Sequence, residues 1–163
     1  MTLAEPLIEE LQHESLGTRK ILERIPADKL GWQPHTRSMT LGRLAAHIAE
    51  IPGWLHETIR QDELDFAITN FTPFPLDNKD LLMSAFEAAL NKGMDALKHA
   101  SDENLMAIWR LRNGPHVFLQ MPRIGIVRGL ILNHVVHHRG QLSVYLRLLD
   151  LQVPGLYGPS ADE

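Results

Sequence analysis

Nine histidines and no cysteine among 163 residues narrow the available chemistry before any fold is considered. Without a thiol there is no disulfide, no thiolate nucleophile and no cysteine-ligated metal, so any ion must be held by His, Asp or Glu. His134 and His138 stand at i and i+4. That spacing lets two imidazoles on one helix face reach a single ion, although the glutamate of the zincin helix is absent. Helical phase at about 100° per residue supplies a third candidate. His47 lies between Leu44 and Ile51, on the face that carries Ile48 and Trp54. Measured from His134, the residues Val127, Ile131, His138, Gln141, Tyr145 and Leu149 fall within about 60°, a stripe apolar at both ends and polar in the middle. Three neutral imidazoles from two helices leave one coordination position open, the arrangement of catalytic rather than structural sites.

The neighbours of these rings are candidates for lesser roles. His137, i+3 from His134, rivals His138 but sits at the edge of the stripe, and is taken with Trp54 as a pocket residue. Gln141 and Tyr145 would orient a water or a substrate oxygen, the alternative being a hydrogen bond between the two. Glu50, one turn after His47, is a candidate fourth ligand or general base, against the commoner fate of an exposed glutamate. Trp32 and Trp109 read as core or pocket wall. His13, His56 and His99 read as solvated, and His35 and His116 fall in loops. The bland alternative for the HxxxH pair is two hydrogen-bonded core histidines.

Composition bounds the partners. With 44% hydrophobic and 22% charged residues the chain can build a core, and its length fits a single domain over 1–163. A formal charge of -4 supplies no basic surface for nucleic acid. No apolar run reaches the roughly eighteen residues of a membrane span, and Glu5, Glu9 and Glu10 stand where a signal peptide needs basic residues. The expectation is a soluble cytoplasmic protein that acts on a small molecule.

Elements must bring the histidines together. Apolar spacing predicts a first helix from Leu3 to Ile25, stopped by Pro26, then a packed loop to Met39 anchored by Trp32. Thr40 caps a second helix to Arg60, kinked at Pro52-Gly53. Phe71 and Phe74 plug one end of the core, and Asp77 caps a third helix to about Ala100. Leu105 to Leu111 and Val117 to Met121 flank Asn113-Gly114, which favours a β-hairpin with a type I′ turn. Arg123 to Asp150 reads as one helix about 40 Å long, followed by a loose tail. The expected fold class is all-α, an antiparallel four-helix bundle with a short β-hairpin inserted before the last helix. Opposite the histidines, Gly125, Gly129, Leu132, Val136, Gly140 and Ser143 form a stripe of mostly small residues, which predicts close approach of a second backbone and a homodimer. The alternative is that Gly125 and Gly129 precede the true helix start.

LGRLAAHIAEIPGW at 41–54 and NHVVHHRGQLSVYLRLL at 133–149, with the WQP loop at 32–34 and SMTLG at 38–42, resemble the DinB-like family of four-helix-bundle proteins. The resemblance covers most of the chain. It implies a divalent metal held by one histidine from the second helix and two from the last, which by motif are His47, His134 and His138. Zinc or nickel comes first, with iron, manganese or copper as alternatives. Some members of the family are thiol transferases using bacillithiol, mycothiol or glutathione, and a related group isomerises maleylpyruvate. The resemblance therefore implies a metal-dependent thiol transferase or small-molecule hydrolase, with any low-molecular-weight thiol as cosubstrate. The alternative is a non-catalytic bundle of the damage-inducible type that binds a metal or small ligand.

Overall fold

Four helices carry most of the core. In the computed structural model, which describes residues 2–70, 72–74 and 78–163, α1 (Ala4–Leu22) buries Leu7, Leu11, Ile21 and Leu22 along one side. Two inward hydroxyls on that side, Ser15 and Thr18, donate back to the carbonyls of Gln12 and Glu14 and so are satisfied in place. The connection that follows is docked onto the start of α2 (Leu41–Glu50): Trp32 O accepts from Leu41 N and Leu30 O from Gly42 N. Thr40 caps α2 as expected, its side chain accepting from Arg43 N.

The expected kinked second helix is instead two helices. Ile51–Gly53 forms a 3-10 turn, and α3 (Trp54–Arg60) starts anew after it. Pro52 removes an amide from the helical ladder, and the partner across the core exploits the result. At Gly93, in α4 (Lys79–Lys98), an added Cβ would lie 2.2 Å from the Pro52 carbonyl oxygen. Only glycine lets α4 cross the turn at this distance. Asn78 caps α4 by accepting from Asp80 N. The expected cap Asp77 and the expected plug Phe71 lie outside the described residues, while Phe74 is half-buried.

The sheet departs from a simple hairpin. A short helix α5 (Asp102–Met106), capped by Ser101, occupies part of the segment expected as strand. β2 (Ile108–Asn113) and β3 (His116–Pro122) pair antiparallel with a bulge between Leu111 and Arg112. β1 (Glu63–Asp65) then adds to β2 in parallel, giving a mixed sheet of order β1-β2-β3. Asp65 fixes that third strand: its carboxylate accepts from Ala67 N and Gly114 N, both at 2.9 Å, and pairs with Arg112 at 2.6 Å. The turn is not type I′. Gly114 has φ +55° while Asn113 is not in the left-handed region, and Pro115 is held near φ −65°, so the single positive φ falls at the first loop position, as in type II′.

The last helix is interrupted. α6 (Arg123–Ile126) passes through a π-helical segment, Val127–Leu132, into α7 (Asn133–Leu148). One i→i+5 turn slips the helical phase by about 100°, which splits the expected small-residue stripe. Gly125 packs against Met121 of its own chain, whereas Gly129 and Gly140 have nothing among the described residues within 4 Å of an added Cβ. α1 and α2 each contact both α4 and α7. Two buried arginines tie these layers. Arg123 donates to the carbonyls of Thr58 and Gln61 and to Asp62, and Arg139 to Glu14, Thr18 and Tyr157. The tail is held rather than loose, through Tyr157, the Arg147–Asp162 pair and Val153 N donating to Asp162. Among the described residues, no helix is long and apolar enough to cross a membrane.

Gly93→Ala tests the α4 crossing. Helix propensity alone would favour alanine by up to about 1 kcal/mol, but the clash with a backbone carbonyl outweighs it. The variant should be less stable by about 1–3 kcal/mol, read from the midpoint of urea unfolding.

Candidate metal centre

Three imidazoles converge between α2 and α7. His47 comes from the last two turns of α2, His134 and His138 from the first two turns of α7, and one nitrogen of each lies within 4.8 Å of the other two. His138 Nε2 and His134 Nε2 are 2.7 Å apart, and His47 Nε2 is 3.4 Å from His134 Nε2. His47 and His138 are buried and His134 is half-buried.

The far nitrogens decide what the converging ones can be. His134 Nδ1 is 3.1 Å from the carbonyl oxygen of Leu130, in the π segment, and a carbonyl only accepts, so Nδ1 carries the hydrogen. His138 Nδ1 donates to Gln141 Oε1 at 2.7 Å, while the Gln141 amide donates to His137 Nε2 at 3.1 Å. Each Nε2 of the α7 pair is therefore a bare lone pair, and two such lone pairs face each other at hydrogen-bond distance. A shared proton would relieve the repulsion, but burial holds all three rings below the ordinary imidazole range. His47 is lowered to about 4, by burial first and then by His138, His134 and Arg43. Burial likewise lowers His134 and His138. A cation is the remaining partner for converging neutral lone pairs. Tetrahedral ligation at about 2.0–2.1 Å separates the nitrogens by about 3.4 Å, the spacing of His47 and His134. The donor set fits a divalent ion. Orientation of ligand imidazoles through their other nitrogen, here by Leu130 and Gln141, is the usual outer-shell device.

The remaining candidates are distributed unevenly. Trp54 lines the cavity beside the triad, its ring centroid 5.5 Å from those of both His47 and His134. Glu50 also lines it, but its carboxylate is held by Arg43 at 2.7 Å and is not among the converging donors. His137 is exposed and outside the cavity lining, where it buttresses Gln141. Tyr145 stands apart, its hydroxyl donating to Met39 O and its ring edge-on to Trp32 at 5.6 Å. The expected alternative of a Gln141–Tyr145 bond does not occur. His13, His35, His99 and His116 are exposed, and His56 is half-buried.

Sequence reasoning missed Arg43 and the outer wall of the cavity. Arg43, His47 and Glu50 share one face of α2 at spacings of four and three, a signal visible in the sequence. Of the wall, only Trp109 was read as such from the sequence: Leu64, Phe66 and Leu111, from the sheet and its flanks, carried no signal.

A family model described as DinB family matches residues 2–163. The chain belongs to the DinB family. It is 28% identical over 156 residues to the uncharacterized protein YrdA of Bacillus subtilis (strain 168), covering 93% of this chain and 86% of YrdA. A DinB-like protein from Bacillus cereus ATCC 10987 is 28% identical with TM-score 0.74, over 96% of this chain and 98% of that one. The DinB-like protein YjoA of B. subtilis, 18% identical over 94% and 98% of the two chains, shares the fold at TM-score 0.72. So does a mycothiol-dependent maleylpyruvate isomerase, 19% identical with TM-score 0.59, over 87% of this chain and 63% of that one.

The lowered imidazole pKa values have a sign. At these rings the folded DinB protein binds fewer protons than the unfolded chain, whose imidazoles titrate near about 6.5, so its stability is full above that value and falls as pH drops. For His47 the loss runs down to about 4. Thermal melts of chelator-treated protein should show the midpoint falling across this window, with a shallower fall in His47→Leu. Equal slopes would show that the ring is protonated as easily in the fold as in water.

Proposed function

We propose that this DinB-family protein is a metal-dependent enzyme in which His47, His134 and His138 hold one divalent cation, zinc or nickel first, beside a cavity that receives a small-molecule substrate. The reaction is transfer of a low-molecular-weight thiol or hydrolysis of the small molecule. The observation that carries this reading is the convergence of three imidazoles, two of them, His134 and His138, with tautomers set from behind by Leu130 and Gln141. An ion held by three neutral imidazoles keeps its double charge and, when bound, supplies Lewis acidity that makes an oxygen or sulfur nucleophile available at neutral pH.

The chain's own residues do the rest. Leu130 O and Gln141 hold two ligand rings in place, and Trp54 packs over the third. The apolar walls keep water from the reacting groups. With no cysteine in the sequence, a thiol must arrive as cosubstrate. The fold shared with a protein named as a mycothiol-dependent isomerase supports the thiol branch. One observation favours the second reading, a bundle that binds metal or ligand without turnover: Glu50, the acid nearest the triad by sequence, is committed to Arg43.

Metal analysis of purified protein should find about one ion per chain, with His47→Ala, His134→Ala and His138→Ala each losing most of it. Full occupancy in any of these variants rejects the centre. Turnover of thiols with electrophiles, or of simple esters and amides, that vanishes with chelator separates enzyme from binding protein.

We further propose a homodimer through the exposed face of α7 at Gly140, where nothing among the described residues lies within 4 Å of an added Cβ. Sedimentation at micromolar concentration should show the dimer, and a pure monomer would exclude it.

A further inference from the structure

Beside the triad lies a cavity of about 940 Å³, the size range of small-molecule sites. Its wall is built from Trp54, Leu64, Phe66, Phe74, Trp109 and Leu111, with alanines of α4 forming the opposite side. Among the described residues it also carries three charged groups, Glu50, Glu57 and Lys92, and each is already neutralised where it stands. Arg43 holds Glu50 at 2.7 Å. Lys92 Nζ donates to Glu57 Oε1 at 2.8 Å, and the Gln61 amide donates to Glu57 Oε2. A charged substrate would lose its hydration against a mostly apolar wall and find no free counter-charge among the described lining residues, a cost that nothing in that wall offsets. Trp109 Nε1–H is buried without a hydrogen-bond partner among the described residues, and the side chains of Thr69, Asn70 and Thr72 add neutral polar groups to the wall. Neutral polar groups of this kind suit a neutral oxygen, such as that of a carbonyl, ether or hydroxyl.

We propose that the molecule taken into this cavity is uncharged and predominantly apolar away from its reacting end, with an aromatic or aliphatic body and at most a neutral oxygen acceptor, and that the Lys92–Glu57–Gln61 cluster enforces the exclusion of ions. This deepens the enzyme reading, from which it takes only the position of the reacting end at the histidines. In a thiol transferase the cavity is then the place of the electrophile.

Three ligands of one skeleton test it: 4-phenylbutan-1-ol, 4-phenylbutylamine and 4-phenylbutyrate, titrated calorimetrically into the full-length protein at pH 7.5. Ranking is done after chelator treatment, so that a carboxylate cannot score by binding the ion. The alcohol should bind about tenfold or more tighter than either ion. Ala85→Trp and Ala88→Trp, which fill the cavity from α4, should each abolish binding of the alcohol. Glu57→Gln frees Lys92 and should tighten 4-phenylbutyrate at least about threefold. Equal or tighter binding of an ion to the wild type overturns the proposal. So does absence of alcohol binding, unchanged binding in both cavity-filled variants, or indifference of 4-phenylbutyrate to Glu57→Gln. Metal content is measured on the same preparations. Failure to hold an ion rejects the enzyme reading and leaves the ligand ranking standing, whereas a reversed ranking in protein that loads metal rejects only the present inference.

Discussion

Neutral imidazole lone pairs do not converge in a protein interior without a partner, and the rest of this structure is arranged around that constraint. The Leu130 carbonyl and Gln141 direct hydrogen to the outer nitrogens of His134 and His138, which turns the inner nitrogens into acceptors. Burial then disfavours protonation as an escape, because a buried imidazolium lacks the hydration that stabilises it in water. The positive Arg43 nearby works in the same direction on His47 and His138. What is left is a pocket of electron pairs suited to a cation and poorly suited to anything else.

Holding that arrangement requires two helices to stay in register at close range, and the means are mostly backbone devices. The 3-10 turn at Ile51–Gly53 ends α2 one residue after Glu50, and Gly93 lets α4 cross that turn against the Pro52 carbonyl. The π segment does the same service for the second helix. Its wider turn sets the Leu130 carbonyl behind His134 and changes the phase at which α7 presents its ligands relative to α6. π-turns are frequently found at functional sites because the extra residue re-aims a side chain at a local cost in hydrogen-bond geometry. Arg123 secures the start of this composite helix and Arg139 the middle of α7, each by charged bonds to carbonyls and carboxylates of other elements.

Charge is distributed with the same economy around the cavity. The sheet and the start of α3 supply aromatic and aliphatic wall, and the acids that face it are tied to basic partners on α2 and α4 and to the Gln61 amide just after α3. The ionic groups thereby keep their solubility at the rim without offering a free charge to the interior. The concentrated charge of this site would be that of an ion held by the three histidines.

Much of this was legible from residue types and spacing, because a local period maps directly onto a helix face. The grouping of His47 with His134 and His138, the Thr40 cap, the stop before Pro26 and the membership of the DinB family all follow from short-range pattern. Other features depend on contacts that no local period encodes. β1 is three residues long and exists because Asp65 finds the amide of Gly114. The π slip has no compositional signature, and it broke a stripe of glycines that a regular helix would have aligned. Tyr145, plausible on the helical wheel, was claimed by Met39 from a position the wheel does not show, whereas the Arg43 that holds Glu50 stands on the same face of α2. Sequence alone thus determined which rings face inward, since one helix fixes that by its own period. Only tertiary structure decided which lone pairs meet, what stands behind them and what surrounds them, since these are distances between elements far apart in the chain.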